Sequence, residues 1–487
     1  MQSFGAVAEL LAQTFWRRVP NQVVTTVTLL HLLFTLLRNQ GPSSPVSLLA
    51  RRLRPSSTMS SAASPVLSVV PSRALVDETF RVTVQNLPPG SAVTLHSLHR
   101  SEDEDLWEAY GHYVSDQWGS VSVADDFSFG GTYTGKEAMG LLWSMRPVPG
   151  SCKGLRLRKK NVCTPQLVHI SVYDGHVEEG FTERPPLASV LSERWFIGPG
   201  VRRVEVQEKG VRGTLFIPPG PGPFPGVMDM WGGGGGLVEY RSALLASHGY
   251  ASLALQYFAA GELSASKEFE YFETAFNVIR LHPLVSPDRV GILGLCLGAI
   301  ITNHLAAEST VIKPRCCVCV SGVHICPRGA SLTGIYKAMV ANAHKTQVDE
   351  NNQEIWRYRL LPISGDLAKK IDVGKINCPM LLVNGLDDQN MPAVEAAEDM
   401  AHMMRAAGKD HLLTRIEYPA TGHLIEPPYS PHFRATKFMK KSTREKVILL
   451  WGGQTKSHSD AQEDSWKKIL AFLQQHLYSN DPTGAKM

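Results

Sequence analysis

Cys296 lies at the centre of residues 294–298, which read Gly-Leu-Cys-Leu-Gly and separate an apolar, strand-like run from a helix-like run. A G-x-C-x-G sequence between a strand and a helix is typical of a nucleophile elbow, a turn so tight that its flanking positions must be glycine. Serine is the usual nucleophile there, and cysteine indicates covalent acyl transfer through a thioester. The alternative is a buried cysteine in a tight packing turn.

An acid and a histidine follow in the order expected after such a nucleophile. Asp387 and Asp388 come just after the apolar run 380–383, and His423 follows the alternating run 415–418. All three groups thus stand at the ends of predicted strands, which favours a catalytic cysteine over a structural one.

The roles of these groups follow from their acid–base chemistry. A free thiol has a pKa of about 8.5, so little thiolate is present at neutral pH without a nearby base. His423 is the candidate base, and the carboxylate of Asp388 or Asp387 would hold the imidazole in one tautomer and stabilise the imidazolium. We expect the other aspartate to face solvent or to cap a turn.

Backbone N–H groups near the cysteine are expected to stabilise the oxyanion of a tetrahedral intermediate. The residue after the nucleophile, Leu297, supplies one of them. Gly232 and Gly233 are candidates for the second, since they open the five-glycine loop 232–236 after a predicted strand and let backbone amides approach a ligand closely. A flexible linker is the alternative, and a phosphate-binding loop is disfavoured because no G-K-[ST] sequence ends the loop.

Beyond these residues, the chain resembles the type I acyl-CoA thioesterases and the bile acid-CoA:amino acid N-acyltransferases, from about Pro65 to Leu477. Several segments carry the resemblance together: Met139–Trp143, Pro221–Gly226, Glu239–Ala246, Glu270–Glu273, Gly422–Tyr429 and Trp451–Gly453. The resemblance implies a triad of Cys296, Asp388 and His423. It also implies acyl-CoA as a small-molecule substrate and no cofactor other than that thioester.

The resemblance also bears on the acyl acceptor. It implies that thioesterase members have serine in the elbow and that amino acid-conjugating members have cysteine. Cys296 therefore favours transfer of the acyl group to glycine or taurine, with acyl-CoA hydrolysis as a second activity in fatty acid or bile acid metabolism. The leucines beside Cys296 and the plain glycine loop depart from both branches, which leaves the acceptor open between amine and water.

Thioester chemistry is an independent reason to favour transfer. Attack of Cys296 on acyl-CoA exchanges one thioester for another, and amines attack thioesters with an advantage over water that they lack against oxygen esters. Water still competes unless the site excludes it. The alternatives are acyl-CoA hydrolysis alone, a dienelactone hydrolase-like enzyme and a non-catalytic acyl-CoA-binding protein.

The composition of the 487 residues is that of an ordinary globular protein, with 43% hydrophobic and 19% charged residues. A net charge of +4 without a dense basic block argues against nucleic acid as a partner. The eight cysteines lack paired metal-ligand spacing, so no metal site is expected; Cys316, Cys317 and Cys319 are predicted in a core strand, and no disulfide framework is expected. The sequence makes no prediction of the oligomeric state.

Residues 1–63 differ from the rest and are interpreted as a leader, either a targeting segment or a segment before an alternative start at Met59. Up to about residue 60 they contain six arginines, no lysine and one acid, which is typical of a mitochondrial transit peptide. The apolar run 23–37 is too short for a stable membrane span, with a weak anchor as the alternative. Because the carboxyl-terminal Ala-Lys-Met resembles a peroxisomal signal, we expect a peroxisomal or cytosolic location, with a mitochondrial one as the alternative.

The remaining chain divides into two predicted domains. Residues 64–200 show short alternating runs separated by turn signals, which predicts an all-β sandwich domain with a packing or pocket-covering role. In residues 201–487 strands alternate with helices, which predicts a catalytic α/β-hydrolase domain with a mostly parallel sheet. The apolar residues from Trp466 to Leu477 have helical spacing and are expected to close the fold as an amphipathic helix.

Overall fold

The computed structural model describes residues 63–479, apart from 235, 258–268, 327–331 and 441–442. The predicted leader and both predicted targeting signals therefore lie outside the described residues. Within the described ranges, no helix combines the length and the apolar character that crossing a membrane requires.

The amino-terminal part of the described chain is rich in β-structure. Its elements are β1 (Val66–Val70), β2 (Arg73–Leu75), β3 (Arg81–Gln85), β4 (Ala92–Arg100), β5 (Leu106–Val114), β6 (Val121–Ser122), α1 (Gly140–Trp143), β7 (Arg146–Pro147), β8 (Gln166–Asp174) and β9 (Ala188–Trp195). They form a three-stranded sheet in the order β1-β3-β6 and a six-stranded sheet in the order β2-β9-β8-β4-β5-β7. The two sheets share one apolar core, which confirms the predicted β-sandwich.

Strand periodicity explains this core. In β3 the buried side chains are Val82 and Val84, and in β8 Val168 and Ile170 are buried while their neighbour His169 is exposed. A period of two places alternate side chains on one face of a sheet, so these valines and isoleucine meet between the two sheets.

In the carboxyl-terminal part of the described chain, strands alternate with helices. Its elements are β10 (Arg202–Glu208), β11 (Val211–Ile217), β12 (Phe224–Met230), α2 (Tyr240–Ser247), β13 (Ala251–Gln256), α3 (Phe269–Arg280), β14 (Val285–Leu295), α4 (Leu297–Glu308), β15 (Cys317–Val320), α5 (Leu332–Ala341), β16 (Gln347–Val348), β17 (Gln353–Ile355), β18 (Met380–Gly385), α6 (Ala393–Ala406), β19 (Leu413–Tyr418), β20 (Ala435–Met439), β21 (Lys446–Leu450) and α7 (Thr455–Leu473). Residues Gln474–Tyr478 extend α7 by a π-helical turn. Single 3-10 turns occur at Phe181–Glu183, Ala343–Lys345, Arg357–Leu360, Leu367–Lys369, Val373–Lys375 and Asp410–Leu412.

Eight of these strands form one sheet in the order β10-β11-β13-β12-β14-β15-β18-β19. The pairs at the β10 end are antiparallel, and from β13 to β19 every neighbouring pair is parallel. Central strands of such a sheet are covered on both faces, and so β15 and β18 are buried along their whole length. This confirms the α/β-hydrolase fold class and places Cys317 and Cys319 in a core strand, as predicted.

A second, smaller sheet in the order β16-β17-β21-β20 was not expected from the sequence. Leu449 and Trp451 at the end of this sheet pack into the core of the β-sandwich, together with Leu424 and Tyr429 from the loop after β19. The β-sandwich therefore packs against the loop that carries His423. The predicted domain boundary at residue 200 stays a prediction.

Candidate active site

Cys296 occupies a strained turn between a strand and a helix. Strand β14 ends at Leu295, helix α4 begins at Leu297, and Cys296 has φ of 57° and ψ of −114°. A non-glycine residue at positive φ is uncommon and costs about 1–3 kcal/mol, and such strain clusters at functional sites. The thiol is held in the geometry predicted for a nucleophile elbow.

The flanking glycines are required by close backbone contacts. A Cβ atom on Gly294 would lie 2.3 Å from the carbonyl carbon of Gly298, and one on Gly298 would lie 2.5 Å from the carbonyl oxygen of Met230. Neither neighbour is a flexible side chain, so neither can move aside. The turn therefore excludes any larger residue at these two positions.

His423 is bound to Asp388 rather than to Asp387. Its Nδ1 lies 2.7 Å from Oδ2 of Asp388, and the side chains are 1% and 2% exposed. The other carboxylate oxygen of Asp388 accepts hydrogen bonds of 2.8 Å from the N–H groups of Asn390 and Met391. Because these two donors stabilise the ionised carboxylate, Asp388 can orient the imidazole and balance its positive charge.

Asp387 has a different environment. It accepts hydrogen bonds from the N–H of Gly453 at 2.7 Å and from the side-chain amide of Gln389 at 2.6 Å. Arg434 also lies 3.3 Å from its carboxylate. This aspartate therefore ties the Asp388 loop to the segment after β21, in keeping with the structural role expected for one member of the pair.

The imidazole of His423 is poised to hold a proton. Burial lowers its pKa, but the charges of Asp388 and Cys296 outweigh burial and raise the pKa to about 10. Nε2 is buried without a hydrogen-bond partner of standard geometry among the described residues. The sulfur of Cys296 is nevertheless close enough to raise the pKa of the imidazole, and because Nδ1 is bound to Asp388, Nε2 is the atom that faces Cys296.

The loop that carries His423 is supported by His458, a residue that the sequence analysis missed. Nδ1 of His458 accepts a hydrogen bond of 3.1 Å from the N–H of Gly422, and Nε2 lies 2.8 Å from the carbonyl oxygen of Leu424. Burial lowers the pKa of His458 to about 3, so the imidazole is neutral with its proton on Nε2. Trp451 stacks on the ring of His423, with ring centroids 5.5 Å apart.

The predicted oxyanion donors border the nucleophile. A Cβ atom on Gly232 would lie 3.2 Å from Cβ and 3.5 Å from Sγ of Cys296, and one on Gly233 would lie 3.9 Å from the Leu297 side chain. Leu297 is the first residue of α4, so its N–H has no acceptor within the helix. These three residues therefore lie beside Cys296, and their role as oxyanion donors stays a prediction.

A buried ion pair supports the strand before the glycine loop. The guanidinium of Arg241 is paired with Asp229, which also accepts a hydrogen bond of 2.8 Å from Ser242. The same guanidinium donates to the carbonyl oxygen of Met230 at 3.0 Å and lies 4.6 Å from the ring of Trp231. This arrangement fixes the backbone on the approach to Gly232.

A second buried pair joins the β-sandwich to the histidine loop. Arg156 is paired with Glu426, and the other carboxylate oxygen of Glu426 lies 3.2 Å from the hydroxyl of Tyr240. Tyr240 packs against Trp231, with ring centroids 5.0 Å apart. The sequence analysis quoted the segments containing Glu426 and Tyr240 but assigned neither a role, because Arg156 is 270 positions from Glu426.

One cavity of about 910 Å³ connects these groups. Cys296, His423 and Gly232 line it from the α/β part, and Leu155 and Arg156 line it from the β-sandwich. Its volume lies near the upper end of the range of about 300–1,000 Å³ typical of ligand pockets. As expected from the sequence, the sandwich helps to cover the pocket.

The elbow cysteine at the end of a parallel strand and the buried Asp–His pair beyond later strands define an α/β hydrolase. Two family models match the chain: "Acyl-CoA thioester hydrolase/BAAT N-terminal region" over residues 77–208 and "BAAT / Acyl-CoA thioester hydrolase C terminal" over residues 267–479. The chain belongs to this family, which confirms the resemblance seen in the sequence.

Three relatives illustrate the range of activities in the family. The peroxisomal succinyl-coenzyme A thioesterase of Mus musculus is 37% identical over 85% of this chain and 97% of its own length. The bile acid-CoA:amino acid N-acyltransferase of Mus musculus is 36% identical over 84% of this chain and 97% of its own length. The mitochondrial acyl-coenzyme A thioesterase 2 of Mus musculus is 36% identical over 85% of this chain and 90% of its own length. Identity alone therefore does not separate hydrolysis from acyl transfer.

Proposed function

We propose that this protein acts on acyl-CoA thioesters and transfers the acyl group, through an acyl-Cys296 intermediate, to the amino group of glycine or taurine. Hydrolysis of acyl-CoA is its second activity. The observation that carries the proposal is the buried His423–Asp388 pair facing a cysteine in elbow geometry, in a chain of this family.

In the first half-reaction, His423 holds the proton of the Cys296 thiol as an imidazolium, and Sγ attacks the thioester carbonyl carbon. A carbon–sulfur bond forms, and the carbonyl oxygen becomes an oxyanion that accepts hydrogen bonds from the N–H of Leu297 and from Gly232 or Gly233. When this intermediate collapses, the bond to the coenzyme A sulfur breaks. The imidazolium then gives its proton to the departing thiolate.

In the second half-reaction, the amine nitrogen of the acceptor attacks the acyl-Cys296 carbonyl carbon. His423 accepts one proton from that nitrogen, and the bond to Sγ breaks to leave an amide and the cysteine thiolate. Water can follow the same path and yields the free acid. Because Cys296 is only 8% exposed, the site limits the access of bulk water to the acyl-enzyme.

The second candidate function is acyl-CoA hydrolysis alone. It is supported by relatives named as thioesterases, which are 37% and 36% identical to this chain, against 36% for the N-acyltransferase relative. The two functions share the first half-reaction and the same residues. They differ only in the nucleophile of the second half-reaction, which is an amine for transfer and water for hydrolysis.

Product analysis by mass spectrometry separates these candidates. The purified protein would be mixed with a panel of acyl-CoAs, with and without glycine and taurine, and Cys296→Ala would serve as the blank. An amide that is absent from the blank supports transfer and identifies donor and acceptor together. Free acid alone, unaffected by amine, supports hydrolysis. Binding of acyl-CoA without turnover by the native protein would overturn both in favour of a binding protein.

No cofactor and no metal takes part in the proposed reaction, and no nucleic acid is a proposed partner. The nucleophile, base and acid are all side chains of this chain, and the thioester supplies the driving force. Turnover by the desalted protein should therefore be unchanged by a metal chelator.

For the compartment we propose a peroxisomal or cytosolic location, with a mitochondrial location as the alternative. Relatives of this chain are named as peroxisomal and as mitochondrial proteins. Imaging of the untagged chain with an antibody, before and after removal of the carboxyl-terminal Ala-Lys-Met, tests the proposal. Unchanged mitochondrial staining in both cases would contradict it.

A further inference from the structure

The charged residues that line the cavity are not balanced. Six are basic and four are acidic: Arg156, Arg158, Lys160, Arg359, Lys437 and Lys440, against Asp103, Asp105, Glu354 and Glu445. An excess of positive charge around a cavity favours an anionic ligand.

Most of these charges are already neutralised by a neighbour. Lys160 pairs with Asp103, and Lys440 pairs with both Glu354 and Glu445. Arg359 lies 3.7 Å from Glu354, and Arg156 pairs with Glu426 outside the cavity lining. These pairs leave little attraction for a ligand, because each positive charge already has a close counter-charge.

Arg158 and Lys437 are the exceptions among the basic lining residues. Within the described ranges, neither side chain makes an ion pair or a hydrogen bond, and both are solvent-exposed. Asp105 is the acidic lining residue that lacks a basic partner there. Since exposed residues that line a cavity lie at its open side, the two cations flank the opening of the pocket.

The two cations come from different parts of the fold that are joined by backbone contacts. The N–H of Lys437 donates a hydrogen bond of 3.1 Å to the carbonyl oxygen of Gly154, and a Cβ on Gly154 would lie 2.9 Å from Cγ of Lys437. The segment that carries Arg158 therefore contacts β20 at Gly154. Burial lowers the pKa of Arg156, and the nearby charge of Arg158 lowers it further.

The geometry points to Arg158 and Lys437 as the binding site for the phosphate groups of the coenzyme A moiety. This inference rests on the proposed function, since it assumes an acyl-CoA donor. A thioester carbonyl at Cys296 places the pantetheine arm along the cavity and leaves the nucleotide phosphates at the open side. Arginine and lysine bind phosphate by charge-assisted hydrogen bonds, and free cations can do so without first breaking an ion pair.

Paired substrates test this inference. Arg158→Gln, Lys437→Gln and the double variant would be assayed with an acyl-CoA and with the S-acyl-pantetheine of the same acyl group, which lacks all phosphates. Each substitution should raise KM for acyl-CoA by about tenfold, which corresponds to about 1.4 kcal/mol, because it removes a charge-assisted hydrogen bond to a phosphate. KM for S-acyl-pantetheine and kcat for both substrates should not change.

Lys446→Gln is the matched control. Lys446 is an exposed lysine of β21 in the same small sheet, but it does not line the cavity. This substitution removes the same charge, and it should leave KM unchanged for both acyl-CoA and S-acyl-pantetheine. A rise in KM for acyl-CoA of equal size in this control would show a general charge effect and overturn the assignment.

Unchanged KM for acyl-CoA in the double variant would overturn the phosphate site. A rise in KM for glycine or taurine alone would instead assign Arg158 and Lys437 to the anionic group of the acceptor. If the native protein turns over neither thioester, the proposed function fails. Calorimetric titration of free coenzyme A into the native protein and the double variant still tests the site in that case, and equal affinity would overturn it.

Discussion

Gly422 directly precedes His423, and its N–H donates a hydrogen bond of 3.1 Å to Nδ1 of His458. His458 lies in α7 and is neutral, so it holds the histidine loop through a fixed donor and a fixed acceptor. We expect His458→Ala to lower kcat about tenfold with little change in KM, and to lower the free energy of unfolding by about 1–3 kcal/mol. His458→Asn retains an acceptor and should recover part of the loss.

Steady-state kinetics and urea denaturation of both variants measure these effects. A purely structural role would lower stability without a fall in kcat once the assay is run well below the unfolding temperature. Full activity of His458→Ala under those conditions would contradict a positioning role.

The two adjacent aspartates should differ sharply in their importance. Asp388→Asn removes the charge that faces Nδ1 of His423 and should lower kcat by about a thousandfold or more. Asp387→Asn keeps the size of a side chain that contacts Gly453, Gln389 and Arg434, and it should lower kcat less than tenfold. Single-turnover rates of acyl-enzyme formation would be measured for both variants. Similar losses of rate in Asp388→Asn and Asp387→Asn would overturn the assignment of Asp388 as the acid.

Replacement of the nucleophile by serine should change the products rather than the fold. Cys296→Ser places an oxygen in the same elbow, and an oxygen ester favours attack by amines over water less than a thioester does. The ratio of amide to free acid should therefore fall, with thermal stability close to that of the native protein. An amide yield equal to that of the native enzyme would disprove the thioester explanation for the cysteine.

The pair formed by Arg156 and Glu426 should be strongly coupled. Glu426→Gln leaves the guanidinium buried without a counter-charge and should lower the free energy of unfolding by about 3–5 kcal/mol. The double variant Arg156→Met, Glu426→Gln should recover much of that loss, because no isolated buried charge remains. A double-mutant cycle from urea denaturation measures the coupling, and additive losses would show that the pair contributes no specific interaction.

The pH dependence of stability should reflect His423. Burial opposes protonation, but Asp388 and Cys296 raise the pKa of His423 from 6.5 to about 10. The folded protein then binds this proton more tightly than the unfolded chain does. The resulting stabilisation is fully present below about pH 6.5 and is lost as the pH rises to about 10. Urea denaturation across this pH range should show that the free energy of unfolding falls. The fall should be smaller in Asp388→Asn. An equal dependence of the unfolding free energy on pH in both proteins would rule out Asp388 as a cause.

Features that depend on a few neighbouring residues could be predicted from the order of the amino acids. The elbow could be predicted because a turn that tight admits only glycine at 294 and 298, whatever surrounds it. The β-sandwich and the parallel sheet could be predicted because strand periodicity and buried apolar runs are local patterns. The segments that resemble the family are also short and local, and the family models cover four of the six: Met139–Trp143, Glu270–Glu273, Gly422–Tyr429 and Trp451–Gly453.

The tertiary structure alone decided which distant groups meet. The residue types left Asp387 and Asp388 equivalent, and the resemblance implied Asp388; the fold shows that the Asp388 carboxylate faces His423. His458 and Arg156 looked like ordinary members of a helix and a loop, because their partners lie 36 and 270 positions away. Contacts of that kind depend on how the sandwich, the small sheet and α7 pack together, and such packing leaves no periodic pattern in the chain.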